Sequence, residues 1–199
     1  MPTSKRSDQK AEARKAILDA AVAVTIERRG RQVTTSLVAE RASCAKGLVH
    51  YHFSTKERLL AEVAARLWSE RAASWRAALG ASDAKRALEA AWNLLQAETT
   101  DGRASAIAQL GLMDGELIAQ SVNAGRATFT EVLATAVPKL LARMELEASV
   151  PAPELAALLA ATAEGLSMRL AGGTSAAELE PAWAAFWVGL LALTRPTRR

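Results

Sequence analysis

The sequence predicts an all-α protein. Half of its 199 residues are hydrophobic, only 5% are aromatic, and runs of β-branched residues are few, which favours helix over sheet. Charge placement divides the chain. Residues 1–60 hold 12 Lys/Arg against 6 Asp/Glu, a net of +6, so the remaining 139 residues carry −2 of the overall +4. A small basic segment on a mildly acidic body suits a polyanion-binding module attached to a domain that is not one. Punctuation by Gly, Pro and capping residues then marks about nine helices.

Between Asp8 and Arg29, the residues Ile17, Leu18, Ala21 and Val24 recur at helical spacing, and Gly30 stands where a left-handed C-terminal cap belongs. Thr34 can cap a short second helix running to Ala42, with Leu37 and Val38 facing inward. A third short helix follows from Ala45 to His52. Ser54 and Glu57 have the spacing of a capping box, opening a fourth helix whose stripe Leu60, Val63, Leu67, Ala72, Trp75 and Leu79 reaches Gly80.

Helices five and six are expected at 82–98 and 102–113, and a long seventh at 115–147, where Pro138 should kink or loosen it. Pro151 and Pro153 separate it from helix eight, 153–171, which ends at Gly172-Gly173; helix nine follows at 175–194. The last two helices are Ala-rich and apolar on more than one face. A homodimer built as a four-helix bundle would cover the excess, with Leu159, Leu166, Trp183, Phe186, Trp187 and Leu190 as its expected interface.

The most specific segment is 34–60. Two short helices joined by a tight turn suit a helix-turn-helix, whose second helix must enter a major groove about 12 Å wide and so needs small or polar residues outward. Lys46, Gly47, His50 and Tyr51 form that outward set, while Val49 and Phe53 anchor the inner face. The ordered elements are Ala16-Ile17-Leu18-Asp19-Ala20-Ala21, Gly30, Thr34-Thr35, Val38-Ala39, Gly47-Leu48-Val49-His50-Tyr51-His52-Phe53 and Lys56-Glu57-Arg58-Leu59-Leu60. Together they resemble the N-terminal signature of the Tet repressor (TetR) family. Two positions depart from it: Ser43 replaces the usual turn glycine, and His50 replaces the first tyrosine of the recognition helix.

The resemblance implies a DNA-binding domain at 1–53, a ligand-binding and dimerisation domain at 54–199, and DNA contacts at Thr35, Lys46, Gly47, Leu48, His50, Tyr51, His52 and Lys56. Thr35 and Lys56 suit phosphate, Lys46 suits guanine, and Leu48 suits a thymine methyl. Lys5, Arg6 and Lys10 either add nonspecific attraction or form a solvated tail. A small-molecule effector is implied, with Trp68, Trp92, Gln96, Met113, Gln120, Phe129 and Met168 as candidate pocket residues; apolar residues of this kind are more often plain core.

The expected function is a ligand-responsive regulator, a repressor released from a palindromic operator by a small molecule. A ligand-independent architectural DNA binder, or a helical enzyme or interaction module without DNA binding, are the alternatives. No phosphate loop, nucleophile elbow or metal-ligand cluster is visible, so neither catalysis nor a cofactor is expected. His50 and His52 stand at i,i+2 and point to different sides of a helix, against a metal pair. Cys44, the only cysteine, precludes an intrachain disulfide and fits a reducing compartment. The longest apolar uncharged run, 181–194, is shorter than the roughly 20 residues of a membrane span. A cytoplasmic protein is expected.

Overall fold

A computed structural model describes residues 3–197, with side chains from residue 7 onward. The described residues form α1 (Thr3–Glu27), α2 (Thr35–Arg41), α3 (Lys46–Phe53), α4 (Lys56–Leu79), α5 (Ala84–Thr100), α6 (Arg103–Leu110), α7 (Glu116–Ala142), β1 (Leu146–Ala148), α8 (Ala152–Ala171), α9 (Ala176–Leu191) and β2 (Thr194–Pro196). The fold is all-α, with one short antiparallel ladder.

Helices α1 to α3 form a head around Ile17, Ala21, Val38, Val49 and Phe53, all buried. At the end of α1 the Gly30 N–H donates to the Thr25 carbonyl at 2.7 Å, with Gly30 left-handed at φ +77° as its position in the sequence predicts. Gly30 has a second role. A Cβ there would stand 2.6 Å from the Cβ of Gln109 on α6, so the close approach of head and body also requires glycine. The N-cap of α6, Gly102, is equally tight: a Cβ would meet the Ile26 carbonyl oxygen at 2.8 Å.

The start of α4 differs from the expected capping box. Helix α3 runs through Phe53, Ser54 turns left-handed at φ +59°, and Thr55 becomes the N-cap, its side chain accepting from Arg58 N–H at 3.1 Å. Glu57 is thereby freed from local capping. Its Oε1 accepts from Leu117 N–H at 2.9 Å, capping the N-terminus of α7 instead, where carboxylate charge is favoured.

Helices α4 and α7 make the most extensive packing in the chain. Trp68 lies directly on Gly125, where a Cβ would come within 2.4 Å of its ring. From there an aromatic chain continues: Trp68 to Phe129 at 5.9 Å, Phe129 to Trp75 at 5.7 Å, Trp75 to Trp183 at 6.4 Å, and Trp183 stacked on Trp92 at 5.9 Å. Centroid separations of this size suit favourable ring pairs.

That chain draws in the residues expected at a dimer interface. Leu159, Leu166, Trp183, Trp187 and Leu190 are buried within the single chain, and Phe186 is half-buried against Trp183. The bulky stripe of α8 packs on α5, α6 and α7, and Trp183 of α9 packs on Trp75 of α4 and Trp92 of α5. The long seventh and ninth helices also end early, at Ala142 and Leu191. Leu146 to Ala148 pairs with Thr194 to Pro196 instead, and Glu147 and Arg195 lie 2.7 Å apart across that ladder. Helix α7 continues through Pro138.

The Trp68 seat yields a stability prediction. Gly125→Ala should raise helix propensity by up to about 1 kcal/mol yet lower stability by about 1–3 kcal/mol net, because the new methyl displaces a fully packed indole. Urea unfolding of the pair measures it; an unchanged or raised midpoint would contradict the close seat.

Candidate nucleic-acid interface

The head presents α3 outward. Lys46, Gly47, Leu48, His50 and Tyr51 are exposed, whereas Val49 and Phe53 are buried beneath them, the division that a surface helix with one anchored face produces. Tyr51 is 65% exposed, a large ring with little cover from its own chain. Lys56 is exposed at the first residue of α4, and Thr35 is half-buried at the first residue of α2. Thr34 and Thr55 are the caps of those helices and accept from Leu37 N–H and Arg58 N–H.

His52 is set apart. It is half-buried, with no hydrogen-bond partner for Nδ1 among the described residues, and burial holds its imidazole below the ordinary value, aided by the positive charges of Lys10 and Arg14 on α1. It belongs to the seam between α1 and α3 and is favoured neutral. Lys10 lies in α1 itself, its ammonium 5.1 Å from the Tyr51 ring centroid, rather than in a solvated tail. The side chains of Lys5 and Arg6 lie outside the described residues.

Ser43, at the turn between α2 and α3, is left-handed at φ +51°, the conformation that the usual glycine adopts without cost. Cys44 beside it is half-buried against the core. Arg41 of α2 makes a two-pronged contact to Glu27 of α1, which holds the Glu27 carboxyl below its ordinary value.

Residues 17–63 match the model of the N-terminal domain of bacterial regulatory proteins of the tetR family. Residues 17–63 thus form a TetR-type N-terminal domain. A Rhodococcus protein assigned to TetR-family transcriptional regulators is 26% identical, with a TM-score of 0.66 over 92% of this chain and 98% of that one. A second Rhodococcus regulator is 24% identical, with a TM-score of 0.72 over 91% and 97%. NalD, the secondary repressor of the MexAB-OprM multidrug efflux pump in Pseudomonas aeruginosa, is 20% identical, with a TM-score of 0.56 over 92% and 97%. Among curated protein sequences none matches. Proteins of the TetR family are generally DNA-binding regulators without catalytic activity.

In the body, the structure disperses the residues expected to line an effector pocket. Trp68 and Phe129 are packed core, and Trp92 stacks on Trp183. Gln96 and Met113 are half-buried, and Gln120 is exposed and donates to Glu116 at 3.0 Å. Met168, 61% exposed, stands at a cavity of about 160 Å³ between α4, α6, α7 and α8. Arg71, Ser167, Arg126 and Glu164 are its polar lining, and none was singled out from sequence. The signal was present: Arg71 sits at i+4 from Leu67 and i−4 from Trp75, a charge inside a buried stripe, and Glu98 follows Ala91 and Leu95 in the same way on α5.

Among the described residues no group of three or more His, Cys, Asp or Glu could hold a metal ion, and no helix is long and apolar enough to cross a membrane.

Proposed function

We propose that this chain is a homodimeric TetR-family transcription regulator of the cytoplasm that grips a palindromic operator through α3 and releases it when a small molecule enters the cavity under α6. Gly47 carries the DNA part of this reading. Among the described residues, nothing beyond its chain neighbours and the nearby backbone of α3 lies within 4 Å of a Cβ built there, so the fold makes no use of glycine at that position, although glycine is a weaker helix former than alanine. A partner whose surface must approach the α3 backbone does use it.

The remaining contacts follow by chemistry. Thr35 and Lys56, at the first residues of α2 and α4, suit phosphates and fix register; Lys46 suits the O6/N7 edge of guanine. Leu48 offers an apolar edge to a thymine methyl, and His50 and Tyr51 offer polar tips. His52 supports α3 from its inner side. The 1–53 head reads, and the 54–199 body binds the effector and dimerises. No catalytic step is proposed.

The dimer face is the outward side of α8 and α9. Ala157, Leu158, Ala161 and Gly165 on α8 and Ala184, Ala185 and Val188 on α9 are exposed, uncharged and mostly small, which permits close approach of paired helices from a second subunit. Repression, as in the function stated for NalD, is carried over here as part of the proposal.

Two measurements test it. Gly47→Ala should stabilise the fold by up to about 1 kcal/mol while weakening operator binding at least about tenfold. Thermal unfolding and fluorescence anisotropy read the two signs, and undiminished DNA binding would contradict the contact. Val188→Glu places a charge on a side chain that is 69% exposed in the single subunit, so the helical circular dichroism should persist while sedimentation velocity shows monomer. A monomeric wild type at micromolar concentration, or a dimeric variant, would refute this interface.

A further inference from the structure

The cavity bordered by α6 contains an unfinished cation. Arg71 is only 4% exposed, and its Nε has no hydrogen-bond partner among the described residues. Its Nη2 donates to Ser167 Oγ at 3.2 Å, and the nearest carboxylate oxygen, Oε2 of Glu98, stands 3.5 Å away and accepts no hydrogen bond itself. A guanidinium carries five N–H groups in a planar fork that matches a carboxylate edge, and leaving part of that fork unfilled in a buried place is costly. Glu98 is a poor permanent partner, since burial pushes its carboxyl up toward the neutral form against the pull of Arg71. Arg126, the second arginine of the cavity, is already engaged by Glu164 at 3.0 Å.

Resting on the operator-release reading above, we infer that the effector is a small organic anion, a carboxylate on a compact apolar body, whose carboxylate pairs with the Arg71 guanidinium beside Ser167. Ser167 accepts from Arg71 and keeps its own hydroxyl proton, which it donates to the incoming carboxylate. Ile107, Leu112 and Met168 provide the apolar lining. The volume of about 160 Å³ sets the size, because a cavity of about 150 Å³ holds a benzene ring. A cationic ligand would face two arginines, and a neutral one would leave the buried charge as it is.

The test uses the full-length protein without DNA and a probe panel of propionate, hexanoate and benzoate, each paired with its neutral amide, plus benzylamine. Isothermal titration should show at least one carboxylate binding about tenfold or more tightly than its amide, and no benzylamine binding. Ser167→Ala should weaken that carboxylate several-fold. Because removing Arg71 alone strands Glu98, the double variant Arg71→Met/Glu98→Met removes both buried charges while conserving volume; it should fold and lose the preference for carboxylate over amide. If no carboxylate outbinds its amide, or if the folded double variant keeps the preference, the inference is overturned. Operator binding by anisotropy is measured separately. A carboxylate that binds through Arg71 yet leaves operator affinity unchanged upholds the anion site and refutes operator release; release by neutral compounds alone does the reverse.

Discussion

Trp68 resting on Gly125 sets how closely α4 and α7 lie, and the rest of the molecule is arranged around that spacing. The two helices run side by side in the same direction, from Glu57 capping the start of α7 at Leu117 to Arg143 donating to the Leu79 carbonyl near their far ends. Protein interiors at this density have no slack to absorb a shifted indole. Helix α4 is also the element that head and body share. Its early turns are tied to α1 by the Arg14–Glu62 pair, and Arg71 projects into the cavity from the turn after Trp68. Lys56 to Trp68 spans about 18 Å of rigid helix, so a tilt at the cavity end reaches the end that carries Lys56.

A second connection runs through α6. One side of this short helix walls the cavity with Ala104, Ile107 and Ala108, and the other touches the head where Gly30 meets Gln109. At its N-terminus Gly102 abuts the Ile26 carbonyl. Glycine at both contacts leaves no side chain to cushion a movement, so displacement of α6 passes directly to the end of α1. The effect required of such a device is small: a coupling free energy of about 1–3 kcal/mol changes affinity roughly 5- to 150-fold. Two connections, through α4 and through α6, thus run from one cavity to one head.

Much of this architecture was legible in the sequence. The caps and glycines that delimit the helices are local signals, and Gly30 adopts the left-handed conformation its position predicts. The inward and outward faces of α3 follow from residue type, since Val49 and Phe53 have no other use for their surface. What local signals miss is competition between partners. Ser54 and Glu57 have capping-box spacing, yet Glu57 is more useful to α7, sixty residues away, than to its own helix. The aromatic residues of α9 look like an interface because the sequence does not show that Trp75 and Trp92 are waiting for Trp183. The cavity was hidden for a related reason. Large apolar residues suggest a pocket but fill the core, while the informative residue is the charge at Arg71 inside an apolar stripe. The strands at Leu146 to Ala148 and Thr194 to Pro196 are too short to show any alternation.

The central claim is that two copies of α3 read a symmetric DNA site. Selection from a pool of random duplexes by the purified protein, followed by sequencing of the bound fraction, tests it most directly. The account predicts enrichment of an inverted repeat whose half-site centres lie about one helical turn, roughly 34–36 Å, or a multiple of it apart. A bound fraction with no enriched motif, or with a single unrepeated half-site, would contradict it.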